Sequence, residues 1–211
     1  MRTQEEINEI VRLLLEEYPL ADCTLDWRKD YELLFSVRLA AQCTDERVNK
    51  ITPALFARFP TLEAFAEAEV EEVEKYVHST GFYRAKARDI VKCAQMLLEK
   101  HNGKVPATME ELTALPGVGR KTANLILGDV YKIPGSTVVD THCIRLTNRM
   151  GIVDNMKDPV KIEMALRKVL PPEHSSDFCH CIVLHGRAVC DARKPDCANC
   201  CVKHLCQSFS G

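Results

Sequence analysis

Apolar side chains recur at helical spacing along almost the whole chain, which leaves little room for a β-sheet. Ile7, Ile10, Val11, Leu14 and Leu15 make an i, i+3, i+4, i+7, i+8 stripe, the pattern that buries one face of a helix. Residues 31–41 are denser in apolar groups and read as a central helix. Further helices are expected over 47–59, 62–68, 69–79, 85–100, 109–115, 120–130, 141–150, 159–169 and 177–187. Several ends carry punctuation. Thr108 with Glu111 is a capping box. Asp158 before Pro159 is an N-cap followed by proline at the first helical position. Gly103 suits the left-handed residue beyond a helix end. Residues 137–140 have strand-forming side chains but are too few to build a sheet. The expected class is all-α, with short connecting loops.

A chain of 211 residues makes one large domain or two small ones. No apolar run approaches the roughly 20 residues that span a bilayer. The first 17 residues are acidic and amphipathic, unlike a secretory signal. A cytoplasmic location is expected, nucleoid-associated if the source is bacterial. The net charge of -2 argues mildly against a nucleic-acid partner. It hides an asymmetry. Residues 1–80 carry 9 Lys/Arg against 17 Asp/Glu, and residues 81–211 carry 19 against 13. Part of the fold can therefore present a basic surface.

Eleven cysteines are many for this length, and an odd number does not close into disulfides. Cys190, Cys197, Cys200 and Cys206 are separated by six, two and five residues. Four thiolates in one short polar loop suit a soft metal. Zinc and a [4Fe–4S] cluster both remain open. One close pair with wider arms favours the larger cluster. Cys201 stands beside a ligand and is a competitor for Cys200. The other six cysteines are expected in the core.

Leu115-Pro116-Gly117-Val118-Gly119-Arg120-Lys121 joins two expected helices. Gly117 and Gly119 allow a tight turn and close approach to a ligand. Free amides of the turn, with the positive end of the next helix, can hold a phosphate oxygen without reading sequence. The plainer alternative is an ordinary helix–helix connection. Lys121 follows at once, as a phosphate clamp, a solvated charge or a nucleophile. An amine attacks carbon only when neutral, and at a reference pKa near 10.4 about one lysine in 2,500 is neutral at pH 7. A nucleophilic role therefore needs a partner that accepts protons or charge. Val138-Val139-Asp140-Thr141-His142 offers Asp140, which can equally be the N-cap of the next helix.

Taken together, LPGVGRKTAN, VVDTH, LHGR and C-x6-C-x2-C-x5-C resemble the endonuclease III family of base-excision-repair DNA glycosylases. LLFSVRLAAQCTDERVNK and GFYRAKARDI extend the likeness over nearly the whole chain. The resemblance implies two helical domains with a DNA groove between them. One would be a six-helix barrel with a helix-hairpin-helix motif, residues 22–133. The other would join 1–21 to 134–211 and hold a [4Fe–4S] cluster. Lys121 matches the Schiff-base lysine and Asp140 the catalytic aspartate. Gln42 matches the residue that fills the gap left by a flipped nucleotide, and Phe82 the wedge that parts the opposite strand. Cys190, Cys197, Cys200 and Cys206 match the cluster ligands. Arg187, Arg193 and Lys194 are the expected phosphate contacts near the cluster. The implied activity is removal of oxidised pyrimidines from double-stranded DNA, with strand cleavage at abasic sites by β-elimination. A monomer is expected.

Three rivals belong beside this reading, one of them a redox-sensing Fe–S protein whose DNA affinity would change with the oxidation state of its cluster. Adenine-mismatch glycosylases share the fold and cluster, but usually lack a lysine at the position of Lys121. A non-catalytic DNA-binding module would use the hairpin for phosphate alone and would need neither Lys121 nor Asp140.

Overall fold

The computed structural model describes residues 2–209. Among them the regular elements are α-helices and short 3-10 turns, with no strand. The eleven α-helices are α1 (Gln4–Glu17), α2 (Asp30–Ala40), α3 (Asp45–Arg58), α4 (Leu62–Ala66), α5 (Val70–Val77), α6 (Tyr83–His101), α7 (Met109–Ala114), α8 (Arg120–Asp129), α9 (Thr141–Met150), α10 (Pro159–Val169) and α11 (Ser175–Ala188). Residues 137–140 are extended but pair with nothing as a strand. The chain divides into two compact units, Thr24–Tyr131 and Met1–Cys23 with Lys132–Gly211.

In the continuous unit, α6 packs against α2, α4 and α5, and α2 packs against α3 and α8. The unit carries seven helices, the shortest being the five-residue α4. Its floor is aromatic. Phe65 meets Phe35 and Phe59 with ring centroids 5.1 Å from each, and the Phe35 contact is edge-to-face. Such pairs add ~0.5–1.5 kcal/mol beyond the area they bury. Helix α6 ends in two left-handed residues, Asn102 and Gly103, whose amides both return to Leu97. Helix α7 starts at Thr108, whose hydroxyl accepts from the Glu111 amide and donates to its carboxylate.

In the discontinuous unit, α11 packs on α1 and α9. Ile7, Ile10, Val11 and Leu14 are buried there with Leu146, Met150, Ile162, Leu166, Phe178 and Ile182. Leu15, the fifth member of the stripe, is only partly buried. Thr3 caps α1 in a capping box with Glu6, and Asp158 caps α10 by accepting from Val160 and Lys161. The last two of these helices deliver the chain to the cysteine-rich tail.

Candidate nucleic-acid interface and metal centre

The hairpin sits between α7 and α8. Gly117 adopts φ +73°, a left-handed conformation that other residues enter only with strain. Gly119 is the N-cap of α8, so Arg120 and Lys121 occupy the first two helical positions. Their amides are among the four at a helix start that have no partner within the helix. The Lys121 side chain is exposed beside that positive end.

Gln42 and Phe82 share one backbone anomaly. Each lies at positive φ, +55° and +47°, although neither is glycine. The left-handed region costs such residues ~1–2 kcal/mol each. Phe82 is nevertheless 70% exposed, and Gln42 is exposed too. An exposed phenyl ring on a strained backbone at the start of α6 is a poor choice for stability alone. Gln42 ends the turn after α2, and Cys43 closes that turn by donating to the Ala40 carbonyl.

Asp140 is the N-cap of α9, and its Oδ1 accepts from the Cys143 amide at 2.7 Å. The bond fixes the carboxylate's direction and commits one oxygen only. Both sequence readings of Asp140 are therefore compatible in one residue.

The four expected ligands converge. Cys190 follows α11, Cys197 opens a short 3-10 turn, Cys200 ends it, and Cys206 follows the next such turn. All four line one cavity of about 190 Å³. That is several times the ~30 Å³ share of a single water. Tetrahedral zinc would draw its sulfurs to within about 3.8 Å of one another, given Zn–S bonds of ~2.3 Å. Among the described residues, no trio of ligand atoms lying within 4.8 Å of one another includes a cysteine. Four thiols around a roomy cavity fit a cuboidal cluster better than one ion. Cys201 packs against the apolar core and does not line the cavity. Of the six cysteines expected in the core, Cys93, Cys143, Cys179 and Cys181 are buried, whereas Cys23 and Cys43 are only half-buried. Those two lie on the exposed connections before and after α2, outside the packed faces.

Burial pushes the Cys200 thiol up to about 11 and raises Cys206 as well. A metal must therefore displace protons to bind there. The surroundings help. Arg149 points a guanidinium nitrogen at Cys190 Sγ at 3.3 Å and also donates to the carbonyls of Asp191 and Ala192. Arg145 donates to the carbonyls of Cys190 and Gly186. Two arginines of α9 thus fasten the first cysteine and bring positive charge to the sulfur. His185 is fully buried, and burial lowers its pKa. It lies between Tyr18, 3.0 Å from Nδ1, and Cys200 Sγ, 3.3 Å from Nε2. With Tyr18 donating to Nδ1, Nε2 carries the proton and donates to the sulfur, the arrangement that orients a ligand. His185 was visible in the sequence only as part of LHGR, with nothing to assign it to Cys200.

Three basic residues of this region are exposed. Arg187 lies in the last turn of α11, and Arg193 and Lys194 lie in the loop before Cys197. Asp191 shapes that loop by accepting from both of their amides, at 2.8 and 3.2 Å, which holds its carboxyl below the usual range.

Comparison with known proteins agrees with this architecture. Residues 35–172 match the HhH-GPD superfamily of base excision DNA repair proteins. Endonuclease III of Synechocystis sp. is 46% identical over 97% of this chain and 93% of its own. A solved structure of a non-covalent endonuclease III–DNA complex superposes with a TM-score of 0.91 at 39% identity, covering 99% of this chain and 97% of that one. A second, equal in score, identity and coverage, is of a trapped endonuclease III–DNA covalent intermediate, an estranged-adenine complex. With the hairpin, the helical units and the cysteine cavity all present, the chain belongs to the HhH-GPD superfamily as a base-excision-repair enzyme of the endonuclease III family.

Proposed function

We propose that this enzyme is a bifunctional DNA glycosylase and abasic-site lyase acting on oxidised pyrimidines of the thymine glycol type in double-stranded DNA. The observation that carries the reading is Lys121 itself. It stands exposed at the second position of α8, directly after a glycine hairpin whose amides suit a phosphate.

The amides of the hairpin hold the backbone, so the contact is blind to sequence. The damaged nucleotide leaves the stack at a cost of a few kcal/mol, smaller for a base that stacks and pairs poorly. Gln42 fills the space it leaves, and Phe82 parts the opposite strand. The Lys121 amine attacks C1′, the bond from C1′ to the base breaks, and the base departs. Asp140 accepts the lysine proton or stabilises positive charge on the sugar. The lysine nitrogen then pushes open the sugar ring, breaking the C1′–O4′ bond as O4′ takes up a proton, and the resulting protonated imine acidifies the C2′ hydrogen. Loss of that proton expels the 3′ phosphate and cuts the strand. The capture of a relative as a covalent DNA intermediate supports a nucleophilic route. Lysine at 121 disfavours the adenine-mismatch branch.

Cys190, Cys197, Cys200 and Cys206 would hold a [4Fe–4S] cluster. Its part would be structural, tying the tail into one loop that presents Arg193 and Lys194 to phosphate. Arg187 is the third phosphate contact of this reading.

The test is a duplex with a single thymine glycol. The enzyme should release the base and leave an unsaturated aldehyde at the new 3′ end. Base release with an uncut strand would reduce the activity to a simple glycosylase.

A further inference from the structure

Lys86 is fully buried, an unusual place for an ammonium group. It lies on α6, and none of its hydrogen bonds goes to a carboxylate. Nζ donates to the carbonyl of Leu39 and to that of Thr80, each at 2.8 Å. Leu39 lies in the last turn of α2, where carbonyls lack helical partners. Gln42 follows three residues later. Thr80 ends a 3-10 turn, and Gly81 and Phe82 follow directly. One cation therefore joins the two backbone segments that carry Gln42 and Phe82, two of the exposed residues at positive φ.

Both attachments are reinforced nearby. Cys43 donates to Ala40 on one side, and the Lys86 amide donates to the Phe82 carbonyl on the other. Thr80, itself buried, anchors its hydroxyl on Val77. Burial lowers the pKa of Lys86 from the ordinary lysine value, as expected for an ammonium that has given up water. Two carbonyls are modest compensation for that loss. An apolar side chain of similar length would fill the same space without a buried charge.

We infer that Lys86 is a positioning residue for DNA opening: it clamps the Gln42 turn and the Phe82 turn to one another, so that both side chains enter the duplex as one preformed unit. The inference rests on the reading of Gln42 and Phe82 given above. Lys86 touches no DNA. It acts by holding two strained turns in register before binding.

The test uses the purified holoenzyme and Lys86→Met. The first probe is a duplex with 2-aminopurine opposite a tetrahydrofuran abasic analogue, in which fluorescence rises as the opposite base is unstacked. The second is single-turnover excision from a thymine glycol duplex. The third is β-elimination at an abasic site in single-stranded DNA, where no duplex has to be opened. The expected result is a lost fluorescence rise and excision slowed at least tenfold, with single-stranded cleavage within twofold of wild type. Parallel loss of all three signals would make Lys86 a purely structural residue and overturn the proposal. A rise equal to wild type would also overturn it. No rise with the wild-type enzyme would instead defeat the reading of Gln42 and Phe82, and the clamp with it. Should Lys86→Met fail to fold, amide exchange in the wild-type holoenzyme decides. A clamp predicts protection of the Cys43 and Lys86 amides within tenfold of each other. A wider gap would mean that the turns open independently.

Discussion

Arg38 and Asp89 close an ion pair at 2.7 Å against the hairpin glycine. A Cβ at Gly117 would stand 2.5 Å from Arg38 Nε and 2.8 Å from Asp89 Oδ2. The pair lies between α2 and α6, so the hairpin rests on the same helices that lead to Gln42 and Phe82. Gly117 is thus held by its positive φ and by the lack of space.

Gly117→Ala should lower stability by ~1–2 kcal/mol from backbone strain. For a chain of this size that is a Tm fall of roughly 2–8 °C. Arg38→Ala removes one of the two side chains that a new Cβ would strike. The double variant should therefore lose less than the two single losses added together. Additive losses in thermal melts would contradict the steric account.

Asp140 has a helix to cap and, in the proposed chemistry, a charge to supply. The two roles separate by substitution. Asparagine caps about as well as aspartate. Asp140→Asn should therefore melt near wild type and yet excise at least ~100-fold more slowly. Asp140→Ala should lose the cap as well, ~1 kcal/mol. An Asp140→Asn enzyme of normal rate would leave Asp140 as a cap only.

The cavity separates Cys200 from its neighbour Cys201. Wild type should absorb near ~400 nm and carry about four irons per chain. Cys200→Ala should lose both signals. Cys201→Ala should keep them, because Cys201 does not line the cavity. Iron analysis with visible spectra checks this. A colourless protein with one zinc per chain would reject the cluster.

Arg193 and Lys194 should contribute phosphate contacts without sequence preference. Duplex affinity should then fall steeply between ~50 and ~200 mM salt. Lys194→Ala should reduce the log–log salt slope by about 1. An unchanged slope would move Lys194 off the DNA.

The features that could be read in advance are the local ones. The α1 stripe, the Thr108 and Asp158 caps and the glycine hairpin each announce themselves within a few residues, because helix starts and turns are decided by neighbours. The cysteine loop was legible for the same reason: the four cysteines that line its cavity lie within seventeen residues. What stayed hidden depends on distance or on broken rules. Lysine reads as a surface residue, so nothing near Lys86 announced a buried clamp whose acceptors lie 47 and six residues away. Gln42 and Phe82 gave no sign of left-handed backbone, because that region is ordinarily left to glycine and asparagine. His185 could not be tied to Cys200 before the fold brought Tyr18, 167 residues from it in sequence, to its other nitrogen.

The central claim is that Lys121 forms a covalent bond with the sugar. The most direct measurement is borohydride trapping on a thymine glycol duplex, with the cross-linked peptide located by mass spectrometry. The account predicts a wild-type adduct mapped to Lys121, and none with Lys121→Gln in a protein that still binds the duplex. An adduct that persists in Lys121→Gln, or base release by wild type with no adduct at all, would contradict it.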